Sequence, residues 1–171
     1  MTERKTYIKT VTWKAADTVM VVDIVKSGKG YVTEWWVSSN FDNNLQVVGH
    51  YNIPIYGYDV AEVERRASNL AGQDIPMFAV RTFGGESTIS DAPSPSRKLE
   101  IARLHLVAHM EDMGGWALME RTAEMFKLIE QFRVKESAEL IAEIEGVKVR
   151  AVHERIQRAR REGLLPRKAT A

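Results

Sequence analysis

The chain has no cysteine. That excludes a disulfide framework, a thiolate metal site and a cysteine nucleophile, and it agrees with a reducing compartment. Long apolar runs are missing too: the best candidate, VMVVDIV at 19–25, is far too short to span a bilayer and is broken by Asp23. The N-terminal MTERKTYIK is charged with no apolar stretch behind it, so the expected location is the cytoplasm and no membrane partner is expected. No internal repeat is visible. Net charge is almost absent, +1 over 171 residues, while the apolar share, 44%, is that of an ordinary folded protein. Stability therefore has to come from packing, and the length suits one domain with an appended module.

The near-neutral total hides a polarised chain. Residues 146–171 hold eight Lys or Arg against two Glu, a balance of +6, which leaves −5 on residues 1–145. Lys148, Arg150, Arg155, Arg158, Arg160 and Arg161 fall within fourteen residues. A local cluster of this kind steers association with a polyanion even when whole-chain charge is small. The plainer alternative is a solvated helix end.

The first third reads as β-structure. YIKTVTW, TVMVVDIV, YVTEWWVS and LQVVGHYNI are rich in β-branched and aromatic residues, and KSGKG and SNFDNN between them are turn chemistry, so three or four antiparallel strands are expected. Trp13, Trp35 and Trp36 read as cross-strand core, with a ligand pocket as the alternative. DVAEVERRASNLAG places Val60, Val63, Ala67 and Leu70 at helical spacing and ends at Gly72, and IPMFAVRTF is short and apolar enough to add a strand. GGESTISDAPSPSRK, with two Gly, two Pro and four Ser in fifteen residues, is a linker or long loop. Everything beyond it looks helical. Leu99, Ala102, Leu106 and Met110 line one helix. The next is apolar on two stripes, Trp116, Met119, Ala123, Phe126 and Ile129, and Leu118, Met125, Leu128 and Phe132, which calls for two neighbours or for one neighbour and a second subunit. The expected fold is α+β: an antiparallel β-rich unit with one helix over 1–83, a linker over 84–98, and an all-α unit over 99–171 that ends in a helix-turn-helix over 136–163.

That ending is ESAELIAEIEGVKVRAVHERIQRARREG. Leu140, Ile141 and Ile144 point inward on a short first helix, Gly146 permits the positive φ a tight turn needs, and a second helix runs to Gly163. Ala142, four residues before Gly146, supplies the small side chain a close crossing requires, while Val147, Val152 and Ile156 lock the pair. The pattern resembles the helix-turn-helix DNA-binding modules of bacterial and phage regulators. RIQRARREGLLP is similar to the ends of such modules in actinobacterial and actinophage proteins, and VKVRAVHERIQRAR to the promoter-reading end of sigma factors. The resemblance covers about thirty residues, or about fifty with the preceding helix as support, and implies double-stranded DNA as partner and transcription regulation as role. Glu145 stands where the pattern usually carries an apolar residue, and Lys148 where a Ser or Thr often caps the second helix. No strand pair follows Leu165, so no wing is expected.

At 100° per residue, Val152, Ile156 and Ala159 share one face of the second helix and Arg150, Glu154, Gln157 and Arg161 the opposite one. Arg grips guanine, Gln pairs with adenine and Glu accepts from cytosine, so these four are the expected base contacts. Lys148, Arg155, Arg158 and Arg160 flank them as phosphate contacts. A homodimer reading two half-sites is the expected assembly.

Enzymatic readings find little. His105 and His109 are spaced i, i+4, but Leu106 replaces the Glu of an HExxH zinc site and only Asp112 offers a third ligand. FGGEST lacks the Lys and the spacing of a phosphate loop, and Ser87 has no triad partner. No catalytic activity, metal or cofactor is expected. Two function classes remain: a sequence-specific DNA-binding regulator whose β-rich part serves ligand sensing, partner recruitment or dimerisation, and a non-enzymatic adaptor whose helical end binds protein.

Overall fold

The computed structural model describes residues 6–41, 44–53, 55–73 and 94–168. The fold is α+β. Four strands, β1 (Tyr7–Ala15), β2 (Thr18–Ser27), β3 (Gly30–Phe41) and β4 (Asn44–Tyr51), form one antiparallel sheet in the order of the chain. Among the described residues five helices follow: α1 (Val60–Ala71), α2 (Pro95–Met110), α3 (Leu118–Gln131), α4 (Ser137–Glu145) and α5 (Val149–Arg161), with a 3₁₀ turn at Glu111–Met113. Among the described residues no helix is long and apolar enough to cross a membrane.

The described residues fall into two compact units. One comprises the sheet up to Ser39, the strand from Val48 onward, and α1; the other comprises Asn40–Val47 with helices α2 to α5. In the first unit Met20, Val22, Trp35, Val37, Tyr51 and Ile53 pack with Ala67 and Ala71 of α1. The period of two along β2 and β3 puts these residues on one face of the sheet. Trp13 stacks on Trp35 with ring centroids 6.1 Å apart, and Trp36 on His50 at 4.0 Å, so the tryptophans are core, not the lining of a pocket. Gly30 is needed for close approach: a Cβ there would lie 2.5 Å from the Tyr56 ring, beside the Tyr31–Gly57 bridge. Asp59 caps α1 by accepting from the Ala61 N–H at 2.8 Å.

The helical unit differs from its sequence expectation in two ways. It begins earlier: α2 starts at Pro95, inside the stretch read as linker, because Ser94 accepts from the Arg97 N–H and Pro95 suits the first turn. Nor is it purely helical, since it includes the end of the β3–β4 hairpin. There the Val47 N–H donates to Gln131 Oε1 at 2.6 Å and Gln131 Nε2 donates to the Leu45 carbonyl at 2.9 Å. The side-chain amide thus takes the place of a neighbouring strand for backbone groups that would otherwise lack partners. The apolar IPMFAVRTF segment and most of the expected linker, with FGGEST and Ser87, lie outside the described residues.

Candidate nucleic-acid interface

Helices α3, α4 and α5 pack on one another in all three pairings, and α2 packs on α3 and α4. The apolar residues behind this are Met125, Leu128, Ile129 and Phe132 from α3 and its end, Leu140, Ile141 and Ala142 from α4, and Val152, Ile156 and Ala159 from α5, all buried. Of the two expected stripes on α3, the one through Met125, Leu128 and Phe132 is buried except for Leu118, which is 46% exposed. In the other, Ala123 and Ile129 are buried while Met119 and Phe126 are half-buried. On α2 the buried side is Ile101, Ala102, His105, Leu106 and His109, whereas Leu99 and Met110 are only half-buried. The inward face of α2 is thus rotated towards its histidines.

The α4–α5 turn is built from backbone chemistry. Gly146 adopts φ 66° and ψ 34°, its N–H donates to the Glu143 carbonyl at 3.3 Å, and the Val147 N–H donates to the Ala142 carbonyl at 3.0 Å. These two bonds and the left-handed glycine make a Schellman cap, which satisfies the last carbonyls of α4 and reverses the chain within three residues. Helix α5 ends the same way: Gly163 has φ 81°, and the Gly163 and Leu164 N–H groups donate to the Arg160 and Ala159 carbonyls. Leu165 then folds back and is buried, and Pro166 stops any further helix. Lys148 occupies the N-cap of α5 and its side chain makes no capping hydrogen bond, while the Ala151 N–H donates to the Lys148 carbonyl at 3.0 Å.

Each expected contact residue now has a position. Arg150, Glu154, Gln157 and Arg161 are all exposed on the side of α5 away from Val152, Ile156 and Ala159. Arg150 reaches Glu154 at 3.2 Å, but with side chains 89% and 68% exposed this pair is held weakly and can part for another partner. Lys148 and Arg158 are exposed as well, Arg158 pairing with Glu162 across one turn at 3.1 Å. Val147 is half-buried, and Ala142 is buried under the turn.

Two of the eight, Arg155 and Arg160, are half-buried and engaged within the helical unit. Arg155 bonds Glu145, whose side chain is 5% exposed and whose other oxygen accepts from Arg121 Nε at 3.2 Å. The acid that stands where an apolar residue is usual is therefore held by two arginines, one from α3 and one from α5, and Arg155 serves the fold. The Arg160 guanidinium lies over the Phe126 ring, 5.6 Å from its centroid, half-buried. Arg121 was not anticipated from sequence; the signal was Glu145 itself, since a carboxylate at a packed position requires a cation from a neighbouring helix.

His105 and His109 do not form an open site. Both are fully buried, and the His105 ring lies 5.1 Å from that of Phe132. Burial, and then the neighbouring His109, push the His105 pKa down to about 3, so the ring is a neutral packing group at physiological pH. Among the described residues no group of three or more His, Asp or Glu is arranged to hold a metal.

Compared with known proteins, the chain matches no protein-family model, no curated protein and no solved structure.

Proposed function

We propose that the protein is a cytoplasmic, non-enzymatic DNA-binding regulator, and that α4, the Gly146 turn and α5 act as a helix-turn-helix with α5 as its reading helix. The observation that carries this reading is the division of α5 into two faces. Val152, Ile156 and Ala159 are fully buried against α3 and α4, while Arg150, Glu154, Gln157 and Arg161 stand together in solvent on the opposite side. A mixture of Arg, Gln and Glu can discriminate base edges in a major groove, where an all-Lys face would only bind charge. Lys148 and Arg158 flank that face as phosphate contacts, Lys148 at the N-terminus of α5 where the helix dipole favours an anion. Arg155 is left out of the contact set because Glu145 holds it.

A dimer fits this reading, since one such module buries little surface on DNA and two half-sites one helical turn apart supply the missing specificity.

Selection of bound duplexes from a random pool tests the proposal. The expected result is an enriched motif whose affinity falls log-linearly with salt. Recovery of unenriched sequence, or binding indifferent to salt, contradicts it; salt-indifferent capture of a protein would favour the adaptor reading instead.

A further inference from the structure

We infer that the helical unit carries a binding cleft for a small organic anion with a planar ring. A cleft of about 580 Å³ opens between the hairpin end at Asn44 and Gln46, helix α3, the last turn of α5, and the segment after it. Its volume lies within the range of small-molecule sites. Three apolar groups line it: the Phe126 ring, Leu165, and Pro166. Leu165 is fixed there by the Schellman cap at Gly163, so this wall is set by backbone hydrogen bonds.

The charge around these apolar groups has one dominant sign. Arg160, Arg167 and Lys168 line the cleft together with Lys127. Lys127 is neutralised by Glu124 at 2.8 Å, and Glu162 is taken by Arg158, which leaves Arg160, Arg167 and Lys168 without a carboxylate partner among the described residues. Glu130 is the one acid in the lining, and it accepts from the Ser137 hydroxyl at 3.1 Å. Three cations with no carboxylate partner among the described residues, beside an aromatic ring and two aliphatic groups, suit a ligand that is anionic at one end and flat and apolar at the other. The guanidinium of Arg160, which lies over the Phe126 ring, marks where the flat part would lie. Nucleoside phosphates and aromatic carboxylates both have this chemistry. An occupant would press on the last turn of α5, so the cleft is placed to act as an effector site.

The inference does not depend on DNA binding, and its test contains no DNA. Calorimetric titration of the full chain with adenosine 5′-monophosphate and with 2-naphthoate gives the two source arms, with adenosine and inorganic phosphate as the ring-only and charge-only arms. At least one ring-bearing anion should saturate the protein and bind about tenfold or more tighter than adenosine or phosphate. The exposed double variant Arg167→Glu/Lys168→Glu should lose about tenfold or more of that affinity, with an unchanged melting temperature in the absence of ligand. Should that variant not fold, raising the salt on the wild-type protein must weaken the same binding. Absence of saturation by either ring-bearing anion at about 1 mM overturns the inference. Phosphate binding as tightly as the ring-bearing anions, or undiminished binding by the folded double variant, overturns it equally.

Discussion

Helices α1 and α5 are both amphipathic, and both present a charged face to solvent, but they balance that charge differently. α1 buries Val63, Ala67 and Ala71 and carries Glu62, Glu64, Arg65 and Arg66, two of each sign. Its charges are matched locally, Arg66 with Glu62 at 3.0 Å and Lys9 of β1 with Glu64 at 2.7 Å. α5 likewise buries three residues along one face, Val152, Ile156 and Ala159, yet carries five Arg against one Glu. This protein solvates an ordinary helix with paired charges of both signs, so the excess on α5 is not how its surfaces are generally finished. On the proposed reading that excess is the part of the surface that meets a polyanion. The interior of the helical unit should therefore govern stability alone, and the outward face of α5 should govern binding alone.

The largest effect expected of the interior is acid sensitivity through His105. As pH falls from 6.5 towards 3 the folded ring stays neutral while the unfolded chain takes up a proton. Stability from this group is thus complete above about pH 6.5 and declines on acidification through that window, by up to about 1.4 kcal/mol per pH unit. His105→Leu should flatten the acid side of a melting-temperature profile. An acid side unchanged by that substitution would show that the ring titrates normally.

Next in size is Glu145→Ala, which strands Arg121 and Arg155 at 24% and 20% side-chain exposure. Allowing for that partial screening, the loss should be about 2 kcal/mol in urea unfolding. A midpoint equal to that of wild type would remove Glu145 from the account of how α3, α4 and α5 are held. Gly146→Ala should cost about 1 kcal/mol from the left-handed backbone alone, because nothing lies within 4 Å of an added Cβ. Gly146→Asn should lose less; equal losses would point to a steric cause. Smallest of all is Arg65→Ala on α1, which should change neither stability nor DNA affinity. A loss of DNA affinity there would break the contrast between the two helices.

Much of this was legible in the sequence, for identifiable reasons. Strand periodicity and turn chemistry located all four strands, and the 3.6-residue period placed both faces of α5 residue by residue. What escaped depended on contacts distant in sequence. Nothing local in Gln131 says that its amide will pair with the backbone of Leu45 and Val47, more than eighty positions away. Arg155 and Arg158 look alike on a helical wheel; only the placement of Glu145 separates the one held in the fold from the one in solvent. The start of α2 was missed despite a Ser-Pro signal, because the Gly, Pro and Ser content of the whole stretch outweighed its last four residues. On α2 the apolar spacing points to a face through Leu99, Ala102, Leu106 and Met110, and histidine identity alone does not say that His105 and His109, packing or hydrogen-bonding residues by their setting, share the buried side with Ala102 and Leu106.

The most direct test compares Arg150→Ala with Arg158→Ala on the best selected duplex and on a scrambled one, each over a range of salt. Arg150 stands among the outward residues of α5 and Arg158 at their flank, and both are exposed, so neither substitution should disturb the fold. Arg150→Ala should lose about 1–3 kcal/mol on the selected site and much less on the scrambled duplex, so that sequence preference relaxes. Arg158→Ala should weaken both duplexes alike and lower the slope of log affinity against log salt by roughly one. The same uniform loss from both variants on both duplexes would contradict the account, because α5 would then be an electrostatic grip with no reading face.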